Sequence, residues 1–338
     1  MQKLVTIKTI AKEMGLSLSA VSKALNDYPD INEDTKKSVV DKALELGYSP
    51  NLMARNLVKN TSNTIGVIVR DVSTIYGETF KYLGEKAREN GQFLIMCDTQ
   101  RNEELEIEYV KSMIESRVCG LVIVPTKSDI ERIKSLVNLR VPVVYLGGRV
   151  TDENENFVAV DCNKGTLLAM DYLFGLGHRN IALLCDARKS FSTTAKVKTY
   201  GEYMRSHGLQ ASVFMDDDDS KDLVSIGYEL AQQAMNDAEQ HSAFFCIKDL
   251  LAVGAMKAIK DRGFSIPEDY SVIGYDGSEI SALPMIELTT IAQRKKDMAD
   301  EVMNILGSQV RVWPDAVAQH RFVEPDLVVR KSCRSLLG

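Results

Sequence analysis

Residues 6–26 read TIKTIAKEMGLSLSAVSKALN, and this stretch decides what the first part of the chain can form. Apolar residues recur at helical spacing on both sides of Gly15-Leu16, which predicts a helix over 6–14, a tight turn and a second helix over 17–26. Ser17 is a natural N-cap for the second helix. Two short helices joined by a glycine-containing turn are typical of a helix-turn-helix motif.

A third helical pattern follows over about residues 33–46, where Asn32 can cap the start and Gly47 can end the helix. The apolar residues spaced to fill a small core between the three helices are Ile7, Ile10, Ala11, Val21, Leu25, Val40 and Leu44. We therefore predict a small all-α head over residues 1–48.

Residues 48–57 read YSPNLMARNL, a pattern that predicts a short helix initiated by Pro50. The polar residues 59–63 follow and have the composition of a linker. We expect a hinge helix and linker over 49–63, and a domain boundary at its end.

From residue 64 onward, apolar strands alternate regularly with amphipathic helices. Strand candidates lie at 65–69, 93–97, 121–124, 141–146, 158–160, 181–185, 213–215, 243–247 and 271–275. Continuous Val/Ile/Leu strands that alternate with helices predict an α/β fold with parallel sheets covered on both faces. This number of strands is sufficient for two doubly wound lobes, with a ligand cleft beyond the carboxyl ends of the strands.

The composition describes an ordinary globular protein: 338 residues, 45% apolar and 26% charged. No apolar run approaches the roughly 20 residues needed to cross a bilayer. The first residues carry charge too early for a signal peptide. We therefore expect a cytoplasmic protein that does not bind a membrane.

The charge is distributed unevenly along the chain. Residues 1–60 carry nine Lys/Arg and seven Asp/Glu, whereas the remainder carries 32 and 40. A mildly basic head on an acidic body is compatible with nucleic-acid binding, because the phosphate field is felt only locally.

The six cysteines are scattered without a C-x-x-C pair, so we expect reduced structural thiols. The acidic run Asp216–Asp219 lacks the spacing of a calcium loop and is interpreted as a solvated loop.

Several motifs in collinear order resemble those of the lactose-repressor/galactose-repressor (LacI/GalR) family. In the head they are TIKTIA (6–11), GLS (15–17), VSKALN (21–26), GYSPN (47–51) and ARNL (54–57). In the body they are IGVIV (65–69), VPVV (141–144), GHRNIA (177–182), Asp249 with Ala252 and Gly254, Pro267 with Asp269, SVIGYD (271–276) and LTTI (288–291). The resemblance covers essentially the whole chain.

The resemblance implies a homodimeric transcriptional repressor whose head binds a palindromic double-stranded DNA operator. It also implies that residues 64–338 form a two-lobed body, similar to periplasmic sugar-binding proteins, that binds a small-molecule effector and dimerises. The expected lobes are about 64–162 with 292–322, and 163–291 with 323–338.

The recognition helix of such a head presents its N-terminal turn to base edges in the major groove. Leu18, Ser19 and Ala20 would then lie nearest the bases, with Lys23 one turn later. Leu18 and Ala20 can contact only thymine methyl groups, Ser19 can bond to either base type, and Lys23 favours guanine.

Other head residues match the family's remaining DNA contacts. The expected phosphate contacts are Ser17, Ser22, Asn26 and Tyr48, and further matching positions are Thr6, Asn51 and Arg55. Ser17 could also act only as a helix cap, and the two roles are compatible. Leu57 matches the family's minor-groove wedge, which unstacks a central base step. The alternative is that Leu57 belongs to a linker helix that packs on the body.

The effector pocket is where this sequence departs from the family. Family members that bind neutral sugars have an acid, an Arg, an Asn and an Asp at positions that correspond here to Gly147, Lys196, Lys248 and Asp276. Two ammonium groups and a lost carboxylate make a more positive cleft. We therefore expect an anionic effector, such as a sugar phosphate or sugar acid.

We expect Lys196, Lys248 and Arg70 to hold this effector. In the alternative, Lys248 pairs with Asp276 in a closed cleft while Arg70 and Arg149 face solvent. Tyr76 and Phe80 could provide a stacking face for a sugar ring, or could belong to the core.

Other classes of protein fit the sequence less well. The chain has no nucleophile elbow, Walker loop, dinucleotide fingerprint or H-E-x-x-H motif, and its four histidines lack metal-ligand spacing, so we predict no enzyme activity, cofactor or metal. A transport binding protein would share the two-lobed body, but it would carry a signal peptide and would have no DNA-binding head. A catabolite-control regulator, whose co-effector is a phosphorylated partner protein, stays open. No leucine-heptad extension follows the final stretch 328–338, so we expect a dimer rather than a tetramer.

Overall fold

The computed structural model of the chain describes nine stretches, which exclude the hinge and several short segments. They are residues 5–48, 62–72, 76–126, 130–137, 141–147, 154–186, 191–218, 220–312 and 317–337, with nothing described at 338 or before 5. The chain divides into two compact units, Met1–Ser62 and Asn63–Gly338. The predicted hinge helix, with Asn51, Arg55 and Leu57, lies outside the described residues, as does Arg149.

The first unit contains the three predicted helices: α1 (Ile7–Met14), α2 (Leu18–Leu25) and α3 (Glu33–Glu45). Gly15 ends α1 in the left-handed conformation (φ +63°), a backbone geometry that glycine adopts without steric cost. The Ser17 side chain accepts a hydrogen bond from the Ala20 N–H at 3.1 Å and so caps α2. The helix-turn-helix prediction is confirmed.

The core of this head differs from the predicted one on α3. The buried apolar residues are Ile10, Ala11, Val21, Ala24, Val39 and Ala43, and Ile7 and Leu25 pack against them half-buried. The prediction that Val40 and Leu44 are buried is wrong, because they are 42% and 72% exposed. A shift of one residue rotates a helix position by about 100°, so only Val39 and Ala43 can face α1 and α2.

The second unit contains two six-stranded sheets. The first consists of β1 (Thr64–Val69), β2 (Phe93–Asp98), β3 (Gly120–Ile123), β4 (Val143–Leu146), β5 (Asn156–Val160) and β11 (His320–Val323). The second consists of β6 (Ile181–Asp186), β7 (Ser212–Asp216), β8 (Ala243–Cys246), β9 (Ser271–Asp276), β10 (Thr289–Ala292) and β12 (Asp326–Val328). The strand orders are β2-β1-β3-β4-β5-β11 and β7-β6-β8-β9-β10-β12. All neighbours pair in parallel except β12, which is antiparallel to β10.

Each sheet belongs to one lobe together with its helices. Lobe 1 holds the first sheet with α4 (Tyr76–Glu89), α5 (Glu103–Glu115), α6 (Glu131–Val137) and α11 (Lys295–Val312). Lobe 2 holds the second sheet with α7 (Cys162–Gly175), α8 (Phe191–Ser206), α9 (Leu223–Asn236), α10 (Asp249–Asp261) and a short 3₁₀ helix (Glu279–Ala282). The predicted pair of doubly wound sheets is confirmed. Strands β10, β11 and β12 lie beyond the nine predicted segments.

In the described part of the chain, the backbone passes between the lobes after β5, after β10 and after β11. The carboxyl ends of the parallel strands of both sheets therefore border the space between the lobes. No helix within the described residues is long and apolar enough to cross a membrane.

Candidate DNA-binding helix and effector cleft

The first turn of α2 has two exposed side chains. Leu18 and Ser19 are exposed and Ala20 is half-buried, whereas Val21 and Ala24 point into the core. The cap by Ser17 fixes where the helix begins, and therefore which side chains form this turn. The structure thus brings Leu18, Ser19 and Ala20 together on one accessible surface.

Other head residues predicted to contact DNA also have roles within the head. Thr6 and Thr9 form a reciprocal capping box at the start of α1. The Asn26 side-chain amide donates to the Ser22 carbonyl at 2.7 Å, at the end of α2. Tyr48 packs half-buried against the head core. These contacts order the side chains at the ends of the helices.

Lys23 has a partner that the sequence pattern did not indicate. Its ammonium forms an ion pair and hydrogen bond with the Asp30 carboxylate, in the loop between α2 and α3. The hydrogen bond with Asp30 raises the pKa of Lys23, and the same bond lowers the pKa of Asp30. Asp30 was missed because a separation of seven residues across a helix end matches no local pairing rule.

A cleft of about 660 Å³ lies between the two lobes. Its lining includes most of the predicted effector residues, namely Arg70, Tyr76, Gly147, Lys196, Lys248 and Asp276. Phe80 is the exception: it is buried in the lobe 1 core, and its ring centroid lies 6.3 Å from that of Tyr76. The prediction that Phe80 contributes to the cleft is wrong, because one helical turn after Tyr76 the side chain packs on the sheet.

Gly147 and Tyr76 fit together at the lobe 1 side of the cleft. A Cβ atom on residue 147 would lie 1.9 Å from the Tyr76 hydroxyl oxygen, and Gly147 has φ +81°. Any side chain there would meet the Tyr76 ring in its present position, so the carboxylate that the family places after the fourth strand would require Tyr76 to move. Burial raises the pKa of Tyr76.

Both cleft lysines are held by groups of lobe 2. The Lys196 ammonium donates to the Ile247 carbonyl at 3.0 Å and lies 3.5 Å from the centroid of the Tyr275 ring. Lys248 pairs with Asp186, with 2.7 Å between Nζ and Oδ2. The alternative prediction that Lys248 pairs with Asp276 is wrong, since the partner is the buried carboxylate at the end of β6.

Asp249, which is buried, and Asp276, which is half-buried, form an acidic pair near these lysines. Asp276 accepts a hydrogen bond from the Gln293 amide at 2.8 Å. Asp249 accepts from the Ser278 N–H and hydroxyl, both at 2.7 Å, and from the Thr290 hydroxyl at 2.5 Å. Burial raises the pKa of Asp249 to about 7, and the neighbouring Asp276 carboxylate contributes to the rise. Burial also raises the pKa of Asp276, against the opposing charges of the two lysines.

Arg70 differs from the lysines because its guanidinium has an unused donor. Its Nε atom is buried without a hydrogen-bond partner among the described residues, and its Cζ lies 5.9 Å from the centroid of the Tyr76 ring. The nearby Arg101 pairs with Asp71 at 3.0 Å. Arg70 is therefore a cation of the cleft lining whose Nε–H group can still donate a hydrogen bond.

The charge of the lining departs from the predicted excess of positive groups. Basic residues in the described lining are Arg70, Arg101, Lys196 and Lys248. Acidic residues there are Asp71, Glu78, Asp222, Asp249, Asp276 and Glu279. The differences from the family at Gly147, Lys196 and Lys248 predicted a cationic cleft. That prediction did not include the acidic residues that the fold brings into the lining from other helices and strands.

An ion pair within lobe 1, at the edge of the cleft, also contacts lobe 2 through hydrogen bonds. Glu78 at the start of α4 pairs with Lys295 at the start of α11, with 2.6 Å between Oε2 and Nζ. Lys295 also donates to the Gly277 carbonyl of lobe 2 at 2.8 Å, and the Glu279 N–H donates to Glu78 at 3.4 Å. We call Glu78, Lys295 and Gly277 the interlobe contact.

Comparison with known proteins accounts for both units of the chain. Residues 6–51 match the lacI family of bacterial regulatory proteins, and residues 170–333 match the periplasmic binding protein-like domain. The HTH-type transcriptional repressor PurR of Pasteurella multocida (strain Pm70) is 30% identical over 342 residues, which cover 98% of this chain and 99% of that protein.

Solved structures agree with this match over the whole chain. The lac repressor dimer bound to operator and the anti-inducer ONPF superposes with a TM-score of 0.86 at 25% identity, covering 98% of this chain and all of that one. A LacI family transcriptional regulator from Enterococcus faecium with bound ribose shares the fold of 81% of this chain, with a TM-score of 0.70 at 23% identity and coverage of 99% of that chain.

The relatives are transcriptional repressors and not enzymes, and they match this chain from the head to the end of the body. A helix-turn-helix head and a two-lobed body with a cleft are the parts that such a repressor needs. The chain therefore belongs to the LacI family and is a DNA-binding transcriptional repressor.

Proposed function

We propose that this repressor binds a palindromic operator as a homodimer and that a small molecule in the interlobe cleft controls its affinity for DNA. The observation that carries the proposal is the exposed first turn of α2, which the Ser17 cap fixes in place. A helix that leaves this turn free can enter the major groove of B-DNA. In the lac repressor structure, the dimer is bound to its operator.

Within this proposal, the residues of α2 divide by chemistry. Leu18 and Ala20 contact thymine methyl groups, Ser19 bonds to a base edge and Lys23 donates to a guanine. The phosphate contacts are Ser17, Ser22, Asn26 and Tyr48, and Thr6 is a further DNA contact. The hinge contributes Asn51, Arg55 and the minor-groove wedge Leu57.

Dimerisation is supported by an edge strand of lobe 1. Phe93, Ile95 and Met96 on β2 are exposed, and β2 is the last strand of its sheet. An apolar edge strand invites pairing or covering by another chain. Two linked heads on a palindrome bind more tightly than one, because the second head binds at a high effective concentration.

For the effector we propose a carbohydrate derivative with one acidic group. Arg70 has an unpaired buried donor on the lobe 1 side, which suits a carboxylate or phosphate. On the lobe 2 side, carboxylates such as Asp276 and Glu279 suit sugar hydroxyls, while Lys196 and Lys248 are already engaged by protein groups. The acidic group would therefore bind lobe 1 and the hydroxyls lobe 2.

A thermal-shift panel tests the effector, since a ligand stabilises the state that binds it. The panel compares glucose, galactose and ribose with glucuronate, gluconate and glucose 6-phosphate. We expect shifts with the acidic compounds only, which disappear in Arg70→Gln. Arg101→Gln, which removes a paired arginine of the same lining, is the matched control and retains the shift.

Each other result of the panel has a defined meaning. Shifts with neutral sugars alone would contradict the acidic effector. Silence across the panel would favour the alternative co-effector, a phosphorylated partner protein, whose addition should then change operator affinity.

The proposed binding of a palindromic operator by a homodimer is tested on a duplex selected from a random-sequence library. We expect a palindromic site, a dimer on DNA by analytical ultracentrifugation, and weaker binding with less DNA bending in Leu57→Ala. A monomer on the selected site would contradict the dimer.

A further inference from the structure

The feature that carries a further inference is the ion pair between Lys23 and Asp30. Lys23 lies one helical turn after the exposed turn of α2, and Asp30 lies in the loop that follows the helix. Their side chains are 42% and 52% exposed, so the pair stands at the surface of the head. Asp30 thus already binds the Lys23 ammonium, the group of α2 that we expect to contact DNA.

The same loop contains a second acidic residue with a different lysine. Asp27 pairs with Lys36 of α3 at 2.7 Å, and Lys36 also pairs with Glu33 at 2.7 Å. Lys36 also attracts Asp30, more weakly than Lys23 does. Direct pairing is nevertheless separate: Asp30 with Lys23 on the recognition helix, and Asp27 with Lys36 on α3.

The chemistry of an ammonium group allows Lys23 to keep Asp30 and still bind a base. A lysine ammonium has three N–H donors. One donor is used by Asp30, which leaves two for O6 and N7 of a guanine. The Asp30 carboxylate meanwhile neutralises the positive charge of Lys23, which would otherwise attract any DNA phosphate. Attraction between basic side chains and phosphates is the source of non-specific binding.

We infer that Asp30 is a positioning residue that raises sequence specificity, because it holds the Lys23 ammonium as a donor for guanine while suppressing its attraction for phosphates. The inference rests on the proposed entry of α2 into the major groove. It assigns to an acidic residue, which DNA would repel, a positive role in choosing the operator.

The test compares Asp30→Asn with Asp27→Asn, on the selected operator duplex and on a scrambled duplex. Both variants remove one negative charge from the same exposed loop, and both should keep the thermal midpoint. We expect Asp30→Asn to raise affinity for the scrambled duplex about five-fold at 100 mM salt, and to steepen its salt dependence by about one unit. Operator affinity should change less than two-fold, so the specificity ratio falls.

In Asp27→Asn, we expect any gain to be equal on the two duplexes. Identical behaviour of the two variants would overturn the inference, because net charge alone would then explain the effect. Persistence of the Asp30→Asn effect in a Lys23→Ala background would also overturn it. If Lys23→Ala by itself leaves operator affinity and salt dependence unchanged, the proposed DNA contact of Lys23 fails instead.

Discussion

Two lysine–aspartate pairs, one in the head and one in the cleft, show how surroundings change the use of the same chemical group. Lys23 and Asp30 are 42% and 52% exposed, whereas Lys248 is 25% exposed and its partner Asp186 is completely buried. Water and salt screen the first pair, so it contributes little to folding, and the Lys23 ammonium stays accessible to DNA. The second pair is a fixed part of lobe 2, because a buried carboxylate without its cation would be costly.

Breaking the buried pair should have the largest effect. We expect Lys248→Met to lower the free energy of unfolding by about 3 kcal/mol, because the buried Asp186 carboxylate loses the Lys248 ammonium. Urea denaturation measures the change. Lys23→Met in the head is the matched control and should leave the denaturation curve in place. Equal effects of the two substitutions would contradict the distinction between the pairs.

The pH dependence of stability sharpens the comparison at the acidic pair. Burial raises the pKa of Asp249 to about 7, whereas an aspartate in an unfolded chain titrates near 4. The folded protein then binds more protons than the unfolded chain between these values, so the cost of the buried carboxylate grows as pH rises toward 7 and is absent below about 4.

We expect the unfolding free energy of the protein, relative to that of Asp249→Asn, to fall by about 1 kcal/mol per pH unit between pH 5 and 7. Urea titrations across this range measure the difference. Glu108→Gln, which changes an exposed carboxylate on α5, is the control and should leave the slope unaltered. If the unfolding free energy of Asp249→Asn changed with pH as that of the unsubstituted protein does, Asp249 would be ionised throughout this pH range.

The interlobe contact lies between the two extremes, since Lys295 is buried and Glu78 is half-exposed. We expect a double-mutant cycle of Glu78→Gln and Lys295→Met to give a coupling of about 1 kcal/mol in unfolding free energy. A coupling near zero would mean that the contact is screened like a surface pair. Lys198 and Glu202, an exposed pair four residues apart on α8, provide the control cycle, in which we expect almost no coupling.

The smallest stability effect is expected at the exposed pair itself. Asp30→Asn should leave the thermal midpoint unchanged, because an exposed ion pair is worth little to the fold. Differential scanning calorimetry checks this. A clear loss of stability would mean that Asp30 holds the head together, and would make the pair resemble the buried one.

The sequence predicted the repeating elements well, because local rules govern them. Ser17, Asn32 and Gly15 mark helix ends through their own backbone and side-chain chemistry, and the helices begin and end there. Apolar runs such as 181–185 predicted strands that lie in the core of a parallel sheet. The strands β10 and β12 were missed since they are short and gain stability from neighbours distant in sequence.

The candidate site was predicted less completely. Strand ends placed Arg70, Gly147 and Asp276 in the cleft, because parallel strands bring their carboxyl ends to one edge. Phe80 was misplaced, since helical spacing alone does not tell which of two aromatic residues faces the sheet. The partner of Lys248 was also wrong, because Asp186 lies 62 residues away on another strand.

The sequence by itself therefore determined the family, the helix-turn-helix motif, the two wound lobes and the position of the cleft, all of which follow from local periodicity, capping and motifs. Only the tertiary structure decided that Val39 and Ala43, rather than Val40 and Leu44, face the core of the head. It also decided which carboxylate each lysine binds. Ion pairs and packing faces depend on the approach of residues far apart in the chain, and no local pattern records that approach.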